Sequence, residues 1–306
     1  MNLVSQRSTW LTDALIGGGI TSHQVEVFNA AWDAGGYIAG GFARMVGVLD
    51  ARSRNELSLY PTWRDREGWR NLALYTEMMM EPPRPPWEGK AASSWKWRGS
   101  VGDVDLFFPN DASAWAAISR VKSRFGEGLY LAPTAAGYAQ EVVIDRCRYQ
   151  FITKVNGTPE EVLASFDLTN AKVALTPDAI LTPPEWKDLE DKRAIGIDVW
   201  SKPNLLWRVW KWARKHTYLK LRSSDEDRFV NVVFDALEAT KDGTLKRWDR
   251  PVTKYEIQRF AKMFIHSFEP SSALKAAMIL DDYDKMNVMR DVMSKVYTRD
   301  LFGADD

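Results

Sequence analysis

The chain has 306 residues, of which 45% are hydrophobic and 27% charged. This composition is typical of a globular protein, and the length allows two domains with a sizeable core. Lys and Arg together number 41, as do Asp and Glu, so overall charge cannot attract nucleic acid and any such binding needs a local basic patch.

The single cysteine, Cys147, excludes an internal disulfide framework and zinc sites built from cysteines. No apolar run approaches the length of a membrane span, and no signal peptide is recognisable at the N-terminus. We therefore expect a soluble, cytoplasmic protein without a membrane partner. Composition predicts no oligomeric state.

The N-terminal residues 1–20 end in a glycine-rich stretch. We predict that they form a flexible entry segment rather than a phosphate-binding turn, because no strand leads into the glycines and no Lys-Ser/Thr follows them. A helix is predicted from Ser22, since Val25, Phe28 and Trp32 recur at three- and four-residue spacing. Gly35-Gly36 is expected to end this helix.

The next pattern is a short strand at Tyr37–Ala39, a Gly40-Gly41 turn and a helix from about Phe42. Glycine lets a ligand approach the backbone closely, and the start of a helix offers N–H groups to an anion. Arg44, on the first helical turn, is expected to reach the same anion. The alternative is a tight turn that needs glycine only for its conformation.

Residues 50–100 are irregular, and the Pro-rich segment from Glu81 to Trp87 cannot be a helix or a central strand. A surface loop is favoured there over a ligand for a partner domain. Alternating residues around Trp95 and Trp97 predict a strand that leads into the next motif.

Two carboxylates, Asp103 and Asp105, lie two residues apart in the apolar, strand-prone run from Gly102 to Phe108. Successive side chains of a strand point to opposite faces, so both acids share one face. Two like charges on a half-buried face are unfavourable unless a positive charge lies between them, and a divalent metal is the obvious candidate. The alternative is a strand end with both acids in solvent.

Further elements follow from apolar spacing and from capping residues. Asn110-Asp111 predicts a helix start, and Thr158 with Glu161 predicts a capping box. Proline and charged residues over 183–193 indicate a domain boundary. The predicted elements are a helix over 112–124, strands over 141–144, 149–153 and 172–175, and C-terminal helices over 224–240, 254–267, 272–281 and 284–297.

A basic amphipathic helix is predicted between Lys202 and Arg222, which contains seven Lys or Arg and no acid. Arg208, Lys211 and Lys215 recur on one face at three- and four-residue spacing. The alternative is the solvated face of an ordinary bundle helix. Further along the chain, four methionines are predicted to lie in the core rather than in a cofactor site: Met278, Met286, Met289 and Met293.

In order, these elements resemble the nucleotidyltransferase superfamily that includes DNA polymerase beta, poly(A) polymerases and CCA-adding enzymes. Gly40-Gly41-Phe-Ala-Arg44 is similar to the Gly-Gly-x-x-Arg turn of the CCA-adding and poly(A) polymerase group, and Asp103-Val-Asp105 to its D-x-D strand. Residues 158–175 also resemble phage nucleotidyltransferase-like proteins. The spacing between the two motifs is longer than usual, so residues 50–100 would be an insertion.

The resemblance implies an α+β fold with two domains. Residues 1–182 would form a nucleotidyltransferase-like catalytic domain with a mixed sheet and flanking helices, and residues 195–306 a helical domain. The implied activity is transfer of an NMP from an NTP, such as ATP, to a hydroxyl of RNA or protein, with release of pyrophosphate. Mg²⁺ or Mn²⁺ would be the cofactor.

The resemblance also implies site residues. Asp103 and Asp105 would hold metal and act in catalysis, and Asp167 is the candidate third acid, with Asp145 and Glu141 as alternatives because Gln150 stands where an acid is usual. The implied nucleotide-binding residues are Gly40, Gly41, Arg44, Arg208, Lys211 and Lys215.

Two other hypotheses stay open at this point. The fold can be retained by a catalytically inactive binding or structural protein, which the uncertain third acid favours and the intact pair Asp103 and Asp105 disfavours. Alternatively, the chain is an unrelated α+β protein with a chance D-x-D pair. Convergence of Asp103, Asp105 and a third carboxylate within metal-bridging reach beside Gly40-Gly41 would favour catalysis. If Asp103 and Asp105 instead point into solvent far from this turn, the resemblance to the superfamily fails.

Overall fold

The computed structural model describes most of the chain outside a long central segment and several short gaps. The described residues are 1–17, 19–54, 56–57, 80–81, 96–97, 103–126, 129, 131–134, 137–145, 147–201, 205–216, 220–241, 243, 246–247 and 250–302. Gly102, Trp95 and nearly all of the Pro-rich segment from Glu81 to Trp87 lie outside them. The surface loop expected there stays a prediction.

The chain divides into two compact units, Met1–Asp191 and Lys192–Asp306. The segment 183–193, predicted as a boundary, contains a helix that belongs to the first unit. The assignment of the units as a catalytic domain and a helical domain stays a prediction.

The first unit combines a large sheet with helices. Its strands are β1 (Val4–Arg7), β2 (Tyr37–Ala39), β3 (Met80–Glu81), β4 (Lys96–Trp97), β5 (Val104–Phe107), β6 (Leu131–Pro133), β7 (Ala139–Ile144), β8 (Cys147–Ile152), β9 (Ala174–Leu175) and β10 (Ala179–Thr182). Its helices are α1 (Trp10–Ile16), α2 (Ser22–Trp32), α3 (Gly41–Ser53), α4 (Asp111–Phe125), α5 (Pro159–Ala164) and α6 (Trp186–Asp191).

Eight of the described strands form one mixed sheet in the order β1-β10-β9-β2-β5-β8-β7-β6. Strand β5 runs parallel to β8 and antiparallel to β2, and the other neighbours in this sheet are antiparallel. The predicted α+β fold class with a mixed sheet is therefore confirmed.

One face of the sheet is mainly apolar. Ile38, Val104, Leu106 and Phe151 point to this face and are fully buried. Helices α2, α3 and α4 cover it through apolar side chains at helical spacing, which removes both surfaces from water. The helix residues in this core include Val27, Phe28, Phe42, Val46, Ala117, Ile118 and Val121.

The opposite face is divided into an apolar and a polar part. Tyr37, Phe107 and Ile152 form a smaller core that α5 covers with Val162 and Leu163. Helix α5 begins at the predicted capping box, in which Thr158 accepts from the Glu161 N–H and Glu161 accepts from the Thr158 N–H. Because α5 covers only this part, the polar side chains at the other part of the same face are left partly open to solvent.

The second unit is built mainly from helices. They are α7 (Leu205–His216), α8 (Glu226–Lys241), α9 (Lys254–Ile265), α10 (Pro270–Ala277) and α11 (Asp282–Phe302). Phe229 of α8 packs edge-on against Phe260 and Phe264 of α9, with ring centroids 5.7 and 5.6 Å apart. Short strands β11 (Ala194–Ile195) and β12 (Lys220–Leu221) pair in parallel, and β13 (Lys246–Arg247) pairs with β14 (Arg250–Pro251).

Two predictions about the chain ends are wrong. Residues predicted to be flexible at the N-terminus instead form β1, which pairs with β10, and α1, whose Trp10 is fully buried. Met278, Met286, Met289 and Met293 were expected in the core, but each is at least 40% exposed. On α11, the buried positions are taken by Val288 and Val292 instead. No helix in the described parts of the chain is both long and apolar enough to cross a membrane.

Candidate active site

The turn between β2 and α3 brings a backbone and a carboxylate together. Gly40 has φ +85° and ψ −141°, a conformation that residues with a side chain rarely adopt. A Cβ placed on Gly40 would lie 3.3 Å from Oδ2 of Asp105. The two sequence motifs therefore meet, with the Asp105 carboxylate beside the start of α3.

Strand pairing explains this meeting. Ala39, the last residue of β2, is opposite Asp105 of β5, and Asp105 is opposite Gln150 of β8. Gln150 is in turn opposite Glu141 of β7. Paired residues share a face of the sheet, so this row of polar side chains extends across three strands from the glycine turn. Asp103, two residues before Asp105, lies on the same face.

Gln150 forms hydrogen bonds with two of these acids, Asp103 and Glu141. Its Nε2 donates to Oδ2 of Asp103 and to Oε2 of Glu141, and both distances are 3.4 Å. An amide side chain can donate two hydrogen bonds from one nitrogen. Gln150 therefore holds Asp103 and Glu141 on either side of itself.

Arg148 supplies the positive charge on this face. Its Nη1 lies 3.7 Å from Oδ1 of Asp103, and its Nε lies 3.6 Å from Oε1 of Glu141. Arg148 stands two residues before Gln150 on β8, so the two side chains project from the same face. A guanidinium therefore lies between Asp103 and Glu141. The metal expected between Asp103 and Asp105 stays a prediction. We name Asp103, Asp105, Glu141, Arg148 and Gln150 the carboxylate face.

Solvent reaches the carboxylate face. The side chains of Asp103, Glu141 and Arg148 are 33%, 27% and 25% exposed. Ion pairs at this exposure are screened by water and contribute little to stability. The group is therefore accessible to a small ligand.

The donor chemistry of the carboxylate face fits Mg²⁺ or Mn²⁺, because these ions prefer carboxylate oxygens. Among the described residues, no three Asp, Glu, His or Cys side chains are already arranged to hold one ion. The carboxylates of Asp103 and Glu141 flank Gln150 and Arg148 instead. For Asp103 and Glu141 to coordinate one ion together, their carboxylates would have to move into the space that Gln150 and Arg148 now occupy.

Arg44 has a different partner from the one expected. It is buried, and its Nε and Nη2 donate to the two carboxylate oxygens of Glu190 at 2.8 and 2.5 Å. Asn170 donates to the same carboxylate at 3.1 Å. This bidentate pair with a fully buried glutamate commits the guanidinium to the fold. Nucleotide binding by Arg44 stays a prediction.

The three candidates for the third acid lie in different surroundings. Asp167 is buried, and its Oδ1 accepts from the Leu168 N–H at 3.1 Å; its catalytic role stays a prediction. Oδ2 of Asp145 lies 3.6 Å from Nδ1 of His23 of α2, a helix that covers the other face of the sheet from the carboxylate face. Glu141 shares both Gln150 and Arg148 with Asp103.

The predicted basic helix is present as α7 in the second unit. Arg208 and Lys211 are exposed on it, and Trp207 and Trp210 form an edge-to-face pair with centroids 6.1 Å apart. The Lys215 side chain lies outside the described residues. Nucleotide binding by Arg208, Lys211 and Lys215 stays a prediction.

Sequence reasoning did not identify Arg148 as part of the site. The available pattern was alternation on β8, where Arg148 and Gln150 interrupt an otherwise apolar strand. Alternation predicts that both face away from the core. It does not predict which strands flank β8, and therefore does not predict the contacts with Asp103 and Glu141.

Comparisons with known proteins find no relative by sequence. No family model matches the chain, and no curated protein matches it. Similar solved structures include a CCA-adding enzyme in complex with CTP, with 12% sequence identity and a TM-score of 0.46. The match covers 96% of this chain and 56% of that chain, so the chain spans about half the length of that enzyme.

Proposed function

We propose that the chain is a metal-dependent nucleotidyltransferase that transfers an NMP from an NTP to a hydroxyl acceptor and releases pyrophosphate. The observation that supports this most is the position of the Asp105 carboxylate beside Gly40, at the start of α3. A triphosphate needs anion-binding N–H groups, and phosphoryl transfer also needs carboxylates that hold a divalent cation beside them.

In this proposal the N–H of Gly41 and those of its neighbours at the start of α3 bind the β- and γ-phosphates. Gly40 lies beside them, and its own N–H donates to the Val173 carbonyl at 3.2 Å. The N–H groups of the first turn of a helix have no partner within the helix and carry its positive dipole end. A side chain at Gly40 would fill the space next to Asp105. The glycine therefore keeps room for phosphate oxygens near the carboxylate.

Asp103 and Asp105 would hold the divalent cation, with a third carboxylate beside them. Glu141 is favoured over Asp167 for the third position, because Glu141 shares Gln150 with Asp103. When bound, Mg²⁺ or Mn²⁺ would offset the triphosphate charge and lower the pKa of the acceptor hydroxyl. The acceptor oxygen then bonds to the α-phosphorus as the bond to pyrophosphate breaks, and a carboxylate takes the hydroxyl proton.

The acceptor is proposed to be RNA or a protein hydroxyl. For RNA, α7 offers exposed Arg208 and Lys211 next to the Trp207 and Trp210 rings. Cationic side chains bind phosphates, and aromatic rings stack on bases.

The proposal is tested by label transfer. The full chain is incubated with each α-labelled NTP, Mg²⁺ or Mn²⁺, and total RNA or total protein. We expect label on one acceptor class. Asp105→Asn and Asp103→Asn should each lower the rate of label transfer at least about 100-fold. Changing a residue that only orients a metal ligand usually costs about 10- to 100-fold in activity, and loss of the ligand itself should cost more. Asp33→Asn, at an exposed aspartate paired with Arg120, is the matched control and should keep full activity.

A second candidate function is nucleotide binding without catalysis. Two observations favour it. Arg148 lies between Asp103 and Glu141, and an amide, Gln150, stands opposite Asp105. This candidate predicts that an NTP raises the melting temperature while no label is transferred with any metal or acceptor. Label transfer that Asp105→Asn abolishes would exclude it.

A further inference from the structure

On the carboxylate face, a cation is already present and belongs to the chain. Arg148 lies within 3.7 Å of Asp103 and 3.6 Å of Glu141. We propose that Arg148 is an exchangeable internal cation, which holds Asp103 and Glu141 while no divalent cation is bound and must leave them when one binds. This inference deepens the proposed function and rests on it, because it concerns the same carboxylates.

The contacts of Arg148 are those of a loosely shared group. Its two ion-pair distances, and both Gln150 hydrogen bonds beside it, measure 3.4 to 3.7 Å. The same unit contains a tight arginine pair for comparison, Arg44 with Glu190, whose two hydrogen bonds measure 2.8 and 2.5 Å and are buried. Long contacts to two separate acids cost little to break, whereas a buried bidentate pair is strongly held.

Arg148 also has a route away from the carboxylates. Its side chain is 25% exposed, so the guanidinium can turn into water without entering the core. Strand β8 stays anchored when this happens, because Cys147, Tyr149 and Phe151 point to the opposite, apolar face. Removal of the guanidinium therefore leaves the sheet intact and opens the space between Asp103 and Glu141.

Competition follows from charge. A divalent cation bound by Asp103 and Glu141 would lie within a few ångströms of the guanidinium, where like charges repel strongly even in a partly solvated site. The two cations cannot use the same carboxylate oxygens at once. By linkage, binding of either one weakens the other by the same factor.

The test measures Mn²⁺ binding to the full chain without nucleotide, by electron paramagnetic resonance of free Mn²⁺. For Arg148→Met we expect about tenfold tighter binding than for the wild type, which corresponds to about 1.4 kcal/mol. Arg148→Lys keeps the charge and should stay close to the wild type. Arg120→Met, at an exposed arginine paired with Asp33, is the matched control and should leave the affinity unchanged.

Folding of each variant is checked by circular dichroism, and Arg148→Gln replaces Arg148→Met if the methionine variant does not fold. Equal or weaker Mn²⁺ binding by the folded, uncharged variant overturns the inference. If the wild type nevertheless transfers label, the proposed function stands and only the exchange of Arg148 is rejected. Tighter Mn²⁺ binding by the variant, with no label transfer by any protein, supports the exchange and counts against the transferase. Absence of Mn²⁺ binding in every variant overturns both.

Discussion

Individual residues of the candidate site differ in how firmly the fold holds them. Arg44 and Glu190 form a buried bidentate pair that Asn170 completes, and breaking such a pair leaves an uncompensated buried charge. Arg148 shares longer contacts with two partly exposed acids. Two arginines of one unit thus have opposite characters, one structural and one available for exchange.

Gly40→Ala is expected to impair both stability and ligand binding. The conformation of Gly40 is strained for any side chain, with a cost of about 1–3 kcal/mol, and the new methyl would also lie 3.3 Å from the Asp105 carboxylate. Urea unfolding and Mn²⁺ titration measure the two effects.

Gly126→Ala is the control for this change. Gly126 has φ +103°, and a Cβ there meets nothing within 4 Å. It should lose similar stability and keep wild-type Mn²⁺ binding. Equal binding by the Gly40 and Gly126 variants would show that Gly40 serves only the turn.

Secondary-structure elements build the site through register. The parallel pair β5 and β8 places Asp105 opposite Gln150, and the antiparallel pair β8 and β7 places Gln150 opposite Glu141. A shift of one residue in either pair would turn these polar side chains into the apolar core.

Helix α5 covers the neighbouring part of the same face, and Tyr37 of β2 donates to the carbonyls of Gly157 and Thr158 at the start of this helix. Burial raises the pKa of Tyr37, so this phenol stays protonated as a donor.

Thr158→Ala should destabilise the protein by about 1 kcal/mol, because it removes the hydroxyl that accepts from the Glu161 N–H at the start of α5. Thr158→Ser keeps the acceptor and should stay within a few tenths of the wild type. Chemical denaturation of both variants measures the difference. Equal losses for Ala and Ser would mean that the methyl group, and not the cap, is responsible.

At the scale of the whole molecule, stability depends on charges that join distant elements. Glu56, just after α3, contacts Arg54, Lys187 of α6 and Gln6 of β1. Burial alone would raise its pKa, but hydrogen bonds from Arg54 and Lys187 outweigh this and lower the pKa to about 2 from a usual value of 4.5. Glu56 therefore connects three parts of the first unit only while it is ionised.

Acid should remove this contribution. Because the folded pKa of Glu56 is depressed, its stabilisation is fully present above pH 4.5 and is lost as the pH falls from there through about 2. Allowing for solvent screening, Glu56→Gln should cost on the order of 1 kcal/mol at pH 7 and nothing below pH 2. Urea unfolding from pH 7 to pH 2 measures this.

The control for the pH dependence of Glu56 is Glu238→Gln, at an exposed glutamate paired with Lys241. This variant should follow the wild-type curve. A constant difference between Glu56→Gln and the wild type at every pH would contradict the assigned role of the Glu56 charge.

The sequence by itself determined the local elements of this protein. Apolar spacing predicted α2 and α4, capping residues predicted the starts of α4 and α5, and the strands predicted over 141–144 and 149–153 correspond to parts of β7 and β8. These features depend on neighbours within a few residues, so the chain encodes them directly. The position of Asp103 and Asp105 on the same strand face was predictable for the same reason.

Only the tertiary structure decided what surrounds those acids. The partner of Arg44 is 146 residues away in sequence, and the charge beside Asp103 comes from a strand that pairs with β5 in parallel. The exposure of the α11 methionines likewise depends on which helix face packs inward. Strand order and charge pairing are set by the lowest free energy of the whole fold, so periodicity and spacing do not contain them.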